Sequence, residues 1–275
     1  MTMDDHEVTE TVRTVWDHSS TTYDDNPGHG IGTVDESEAW KRELGRDLPS
    51  TSLRVLDAGC GTGAMGLLFA EMGHRVTGID LSEGMMEKAR KKAEARNLSL
   101  DLRTGNAERL PFPDGSFDLI VTRHLLWTLP HPEIALRDWH RVLVPGGRLL
   151  VIDGIWDDHR LSTRVKMGIS SGMTRIFGQK NTHRRSYDRA LRSRLPYEGG
   201  VPLESMLALL DRAGFLPLHI GDLLYIRDLH RSQLPWYRRL AQGKTYYVVA
   251  SITENSSRAA GVTMEYLPPL PVEEE

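Results

Sequence analysis

The stretch Val55-Leu56-Asp57-Ala58-Gly59-Cys60-Gly61-Thr62-Gly63 decides what fold this chain adopts. An apolar run, Leu53 to Leu56, ends in an acid and breaks into glycines at alternate positions, Gly59, Gly61 and Gly63. A helix-forming run, Ala64 to Met72, follows at once. That order predicts strand, tight turn and helix, the opening of a nucleotide-binding βαβ unit. So sharp a bend often needs positive φ, and a side chain there would hold a ligand off the backbone. The motif points to an adenosine-containing cofactor.

Gly61-Thr62-Gly63-Ala64-Met65-Gly66 also fits the dinucleotide pattern G-x-G-x-x-G, and Asp80 lies near the place of its ribose-binding acid. Asp57 weighs against that reading. A carboxylate beside the glycine turn would meet a pyrophosphate with like charge, whereas it suits a ligand presenting an ammonium, as S-adenosylmethionine does. Here the chain resembles the class I S-adenosylmethionine-dependent methyltransferases, and more narrowly their small-molecule type 11 branch. That branch carries D-x-G-x-G-x-G, present at Asp57, Gly59, Gly61 and Gly63, with Cys60 inside the loop.

The resemblance continues in order through Arg75 to Ser82, Gly105 to Phe112, Phe117 to Val121 and Arg141 to Leu150. It implies that Asp80 takes both ribose hydroxyls, a charge-assisted arrangement that gives aspartate a chemical reason there. It further implies that Leu81 and Met85 pack near the adenine, that Asn106 accepts from its amino group and that the Ala107 amide donates to its ring. The implied fold is α/β: a Rossmann-like, doubly wound sheet of seven strands, the last antiparallel, with the cofactor across the C-terminal ends of the first strands.

Departures from the family pattern cluster after strand four, in Thr122-Arg123-His124-Leu125-Leu126-Trp127. Arg123 stands where relatives commonly carry asparagine, and Trp127 where they carry the first of two histidines. His124 is the candidate general base, although a histidine beside apolar residues is more often a packed one. Arg123 and Tyr23 complete the catalytic candidates, and both are also expected against the cofactor. The sulfonium is already a good electrophile, so alignment supplies much of the rate and a strong base is not obligatory. His29, Trp127, Arg184 and Arg185 are the substrate candidates.

Residues 156 to 200 hold eight arginines and two lysines against four acids, while the whole chain carries -4. A solvated face explains such a run as well as a lid that gathers an acidic small molecule through arginine forks does. With pI near 6.3, no global attraction to nucleic acid or anionic membrane is expected. One cysteine excludes an internal disulfide and a thiolate zinc cluster, and no metal is expected. No apolar run reaches the ~20 residues of a spanning helix, and Met1 to Glu10 lacks an apolar leader core, so a cytoplasmic protein is expected. The oligomeric state is open.

The pattern divides the chain into a helical cap (1–50), a cofactor-binding core (51–153), an inserted basic lid (154–202), the rest of the core (203–255) and an extended or disordered tail (256–275). Helices are expected over Val8–Tyr23, Ser37–Leu44, 133–143 and Leu203–Ala213, and strands over Leu149–Ile152, 216–226 and 245–253. Two functions fit: methyl transfer to a small molecule at O, N, S or C, or cofactor binding without transfer.

Overall fold

A computed structural model describes residues 3–25, 28–46, 48–156, 161–177, 187–240 and 245–253. The chain enters through helix α1 (Asp5–Ser19), started by a capping box in which Asp4 and Glu7 exchange side-chain and backbone bonds. Helix α2 (Val34–Gly45) follows, capped by Thr33. The core then alternates: β1 (Arg54–Ala58), α3 (Ala64–Glu71), β2 (Arg75–Asp80), α4 (Glu83–Ala95), β3 (Leu100–Thr104), β4 (Phe117–Arg123), α5 (Pro132–Val142) and β5 (Leu143–Ile155). Helices α6 (Leu161–Ile176) and α7 (Arg189–Arg192) lead to α8 (Leu203–Arg212) and β6 (Phe215–Gly221). Helices α9 (Leu224–Ser232) and α10 (Trp236–Arg239) precede β7 (Thr245–Thr253).

The seven strands form one sheet in the order β3-β2-β1-β4-β5-β7-β6. The first five pair in parallel, and β7 runs antiparallel between β5 and β6. Winding reverses between β1 and β4, which opens a crevice at their C-terminal ends. Side chains alternate across the sheet with period two. Leu56, Ile120, Leu149, Val151 and Val249 join α1, α5 and α8 on one face. Val55, Leu119, Val121, Leu150 and Val248 join α2, α3 and α9 on the other. The strands are apolar on both sides because both faces are covered.

Several elements differ from the sequence reading. Helix α1 stops at Ser19, where a 3-10 turn at Tyr23–Asp25 takes over. Strand β5 spans 13 residues, because its partner β7 pairs along Arg148 to Ile155. The expected strand over 216–226 ends at Gly221, and Leu223, at φ +49, turns the chain into α9. An Ile155–Gly200 bridge closes the ends of the basic insertion against β5.

Candidate active site

The glycine turn after β1 is built by its own backbone. The Gly59 and Cys60 amides donate to the Ile79 carbonyl at 2.8 and 3.1 Å, tying the turn to β2. Gly59 and Gly63 sit at φ +68 and +81. A Cβ at Gly59 would lie 2.7 Å from Leu125 Cδ1, and one at Gly63 would lie 2.9 Å from Ala89 Cβ. Gly59 therefore lets β4's exit loop approach the turn, and Gly63 lets α3 approach α4.

Asp80 ends β2, and its carboxylate takes two amides, from Gly61 on Oδ2 and from Ser82 on Oδ1, both at 2.8 Å. Burial pushes this carboxyl up to about 6, against those two bonds. Asp80 lies in the wall of a cavity over the strand ends. Gly59, Gly61, Leu81, Met85, Asn106 and Ala107 line the same cavity. The Asn106 Oδ1 accepts from the Glu108 amide at 2.8 Å, which fixes its orientation.

The opposite wall comes from the cap. Val12 and Trp16 of α1, and Tyr23 just beyond it, face the cavity. Two aspartates fasten this cap to the core. Asp17 Oδ1 accepts from the Ser82 hydroxyl at 2.6 Å and the Gly84 amide at 3.1 Å, at the start of α4. Asp24 accepts from the Thr62 hydroxyl and pairs with Lys92, both at 2.7 Å. Arg123 reaches from the end of β4 to the same cap and donates to the Gly28 and His29 carbonyls. Its guanidinium also stands 5.8 Å from the Trp40 ring centroid.

His124 follows at φ +57, an uncommon conformation for a residue with a side chain. Its amide donates to the Ile152 carbonyl at 3.0 Å, and its ring lines the cavity. Nδ1 lies 3.8 Å from Oδ1 of Asp153, a buried carboxylate near the end of β5. Burial raises the Asp153 carboxyl, and His124 opposes that rise. Tyr246 stacks on the imidazole at 5.3 Å and Trp156 meets it edge-on at 5.3 Å.

Of the residues singled out in the sequence, Tyr23, Gly59, Gly61, Asp80, Leu81, Met85, Asn106, Ala107, Arg123 and His124 line this cavity. Five others do not. Asp57 is buried beneath the turn, where it accepts from the Gly66 amide at 2.8 Å and braces α3, outside the cavity lining. Removal from water pushes its carboxyl up to about 7. Cys60 packs beside Gly78, and burial raises its thiol well above the usual range. Gly63 serves the α3–α4 approach. Trp127 is 5% exposed and packs among Trp16, Trp156 and Tyr187, so it supports the cap from within the core. His29 lies behind Tyr23, rings 4.4 Å apart, with its Nδ1 3.2 Å from the Tyr23 carbonyl. Arg184 and Arg185 lie outside the described residues. Among the described residues no cluster of histidine, cysteine and acids is placed to hold a metal.

Residues 56–151 match the model of the methyltransferase domain family. The chain carries a class I S-adenosylmethionine-dependent methyltransferase domain of the type 11 branch. A demethylmenaquinone methyltransferase of Thermus thermophilus is 38% identical over 117 residues, 42% of this chain and 53% of the relative. A ubiquinone/menaquinone biosynthesis C-methyltransferase of a Ruegeria species is 35% identical over 158 residues, 55% of this chain and 62% of the relative. The chain thus spans about half the length of the curated relatives it matches. Among solved structures, the [4+2]-cyclase SpnF shares the fold at TM-score 0.58 and 19% identity, over 93% of this chain and 98% of that one. A phosphoethanolamine N-methyltransferase of Haemonchus contortus does so at TM-score 0.61 and 17% identity, over 89% of this chain and 60% of that one.

Three residues of this site escape sequence reasoning. Asp153 follows an apolar run as Asp57 and Asp80 do, in Leu149-Leu150-Val151-Ile152-Asp153-Gly154, and that repetition is the clue that could have found it. Asp17 and Asp24 sit in an acidic, polar segment where nothing local separates a latch from a solvated charge.

Proposed function

We propose that the protein transfers the methyl group of S-adenosylmethionine to a small, ring-shaped acceptor lying between the cap and the strand ends. The observation that carries this is the joining of Asp80 and His124 in one cavity, a ribose-type acceptor at one end and a candidate base at the other. The residues fit the cofactor: the turn at Gly59 and Gly61 leaves backbone bare, Asp80 offers acceptor positions to a diol, and Leu81 and Met85 give an apolar berth for a flat base. When bound, the sulfonium supplies an electrophilic methyl group and leaves as a neutral thioether.

The chain's own residues do the rest. Val12, Trp16, Leu125, Leu129 and Pro130 give the lining an apolar stretch beside Thr9, Glu108 and Thr128, which suits a flat ring carrying a polar group and limits water at the reacting centre. His124, with Nδ1 toward Asp153, has Nε2 to receive the proton that the acceptor loses as its oxygen or ring carbon takes the methyl. The buried Asp153 carboxylate holds that imidazole and stabilises the charge it gains. The named substrates of the relatives, demethylated quinones, are of this ring class. The Arg123 guanidinium is engaged with two backbone carbonyls of the cap, so it adds no support for an anionic acceptor.

Incubation with S-adenosylmethionine and a panel of reduced quinones, phenols and carboxylates tests the reading. S-adenosylhomocysteine should form with ring acceptors and not with simple carboxylates. The second reading, cofactor binding without transfer, is favoured by one observation, the shared fold of a cyclase over nearly the whole chain. Tight S-adenosylhomocysteine binding with no product from any acceptor would establish it.

A further inference from the structure

Helix α6 buries its polar side and exposes its apolar one. At about 100° per residue, Thr163, Met167, Ser170 and Thr174 share one side. Ser170 and Thr174 are buried there. Opposite stand Leu161, Val165, Ile169 and Ile176, exposed by 76, 53, 48 and 75%. Gly168 and Gly172 have no atom within 4 Å of a Cβ position, so the face is open there too. By the same rotation Lys166 borders the stripe on one side and Arg164 and Arg175 on the other.

Helix α10 extends the patch. Phe177, just past α6, stacks on Tyr237 at 5.3 Å, and both Phe177 and Trp236 are more than half exposed. Across residues 161–177 and 236–240 there are five cations, Arg164, Lys166, Arg175, Arg238 and Arg239, and no acid. The chain as a whole carries -4, so this charge is concentrated here. A contiguous apolar stripe of this kind on a folded protein marks an interaction surface.

We infer that this face docks on an anionic lipid surface, with α6 lying in the plane of the headgroups. An apolar stripe bordered by cations and joined by exposed tryptophan and phenylalanine is the composition of an interfacial helix. The cations meet the negative headgroups while the stripe enters the acyl boundary. A second copy of this chain suits the face poorly, since pairing it with itself would set five cations against five with no acid between them. No described helix is long and apolar enough to cross a membrane, so the contact is peripheral. This inference goes beyond the proposed reaction and does not depend on it.

Co-sedimentation of the full chain with vesicles tests it, using phosphatidylcholine alone and phosphatidylcholine mixed with phosphatidylglycerol. Partition onto the mixed vesicles should exceed that onto phosphatidylcholine by at least about tenfold, and should fall as salt rises. Val165→Glu with Ile169→Glu should lower it at least about tenfold, whereas Val165→Leu with Ile169→Leu should keep it. Both positions are exposed, and unchanged S-adenosylhomocysteine affinity in calorimetry confirms that the variants are folded. No partition of the wild type onto the mixed vesicles, or equal partition of the glutamate variant, overturns the inference. A dimer that the glutamate variant disperses, without vesicle binding, reassigns the face to a second copy and overturns it as well.

Discussion

The two walls of the cavity are held by different means. The strand-end wall, from Gly59 to Asp80, is made of backbone: glycines in left-handed conformations, amides donating to Ile79, and a carboxylate gripping two further amides. The cap wall, from Val12 to Tyr23, is made of side chains that reach across the chain: Asp17 to Ser82, Asp24 to Thr62 and Lys92, and Arg123 to the carbonyls at 28 and 29. A backbone-built wall tolerates little substitution and presents one shape, which suits an invariant cofactor. A wall pinned by a few exposed or half-exposed bonds can open at small cost, which suits the entry of an acceptor.

The sharpest way to break that division is at His124, which stands where the walls meet. His124→Gln should lower turnover by ~10²–10⁴-fold, the usual range for a positioned acid-base group, and leave S-adenosylhomocysteine affinity unchanged. Asp153→Asn should do less to the rate, but should move the rise of turnover with pH to lower pH, because the carboxylate that favours the protonated ring is gone. An unmoved profile would reduce Asp153 to a packing residue.

Asp80→Ala should cost ~2–4 kcal/mol of S-adenosylhomocysteine affinity in calorimetry, a charged partner of two hydroxyls being lost. The wild type adds a pH test. Its carboxyl stands at about 6 in the ligand-free protein. Only the ionised form accepts both hydroxyls, so affinity should rise as pH climbs through that value and a proton should be released on binding. Asp80→Asn should flatten the dependence.

Gly59→Ala tests the backbone wall itself. With φ at +68 and a Cβ 2.7 Å from Leu125, it should lower stability by ~1–3 kcal/mol in thermal unfolding. Gly61→Ala should cost less: its φ is +51, and the nearest atom to its Cβ is 4.0 Å away. Smallest are the latches. Asp24→Asn and Arg123→Met should each change substrate KM and cofactor Kd by a few-fold, about 1 kcal/mol, with the melting temperature nearly unmoved. A loss confined to cofactor affinity would move the cap to the cofactor's side of the division.

The strand-end wall was legible because its parts are local. A glycine turn must follow its strand within a few residues, and an acid must end the next strand, so Gly59, Gly61 and Asp80 announce themselves by spacing. Asp57 shows the limit of that logic: the motif places it beside the turn, and only the fold shows its carboxylate turned down to Gly66. Trp127 shows another. Its position after β4 puts it near the reacting centre in sequence, while three aromatic neighbours draw it into the core. Arg123, next to the cavity as expected, spends its donors on the cap.

The sequence alone determined the strand, glycine turn and helix of the opening unit and the acid that ends the next strand, because apolar period and glycine spacing are properties of short windows. The doubly wound sheet and its antiparallel last strand followed from the family resemblance that those windows carry. Tertiary structure decided which acids meet which partners. Asp153 comes beside His124 because β4 and β5 pair in register, Arg123 opposite Ile152. Asp17 and Asp24 become latches because the cap folds back over α4. Helix α6 shows its apolar face because its other side, with Ser170 and Thr174, is the one turned inward, and α10 lies against the helix. Each of these depends on contacts between segments far apart in the chain, and no local pattern encodes them.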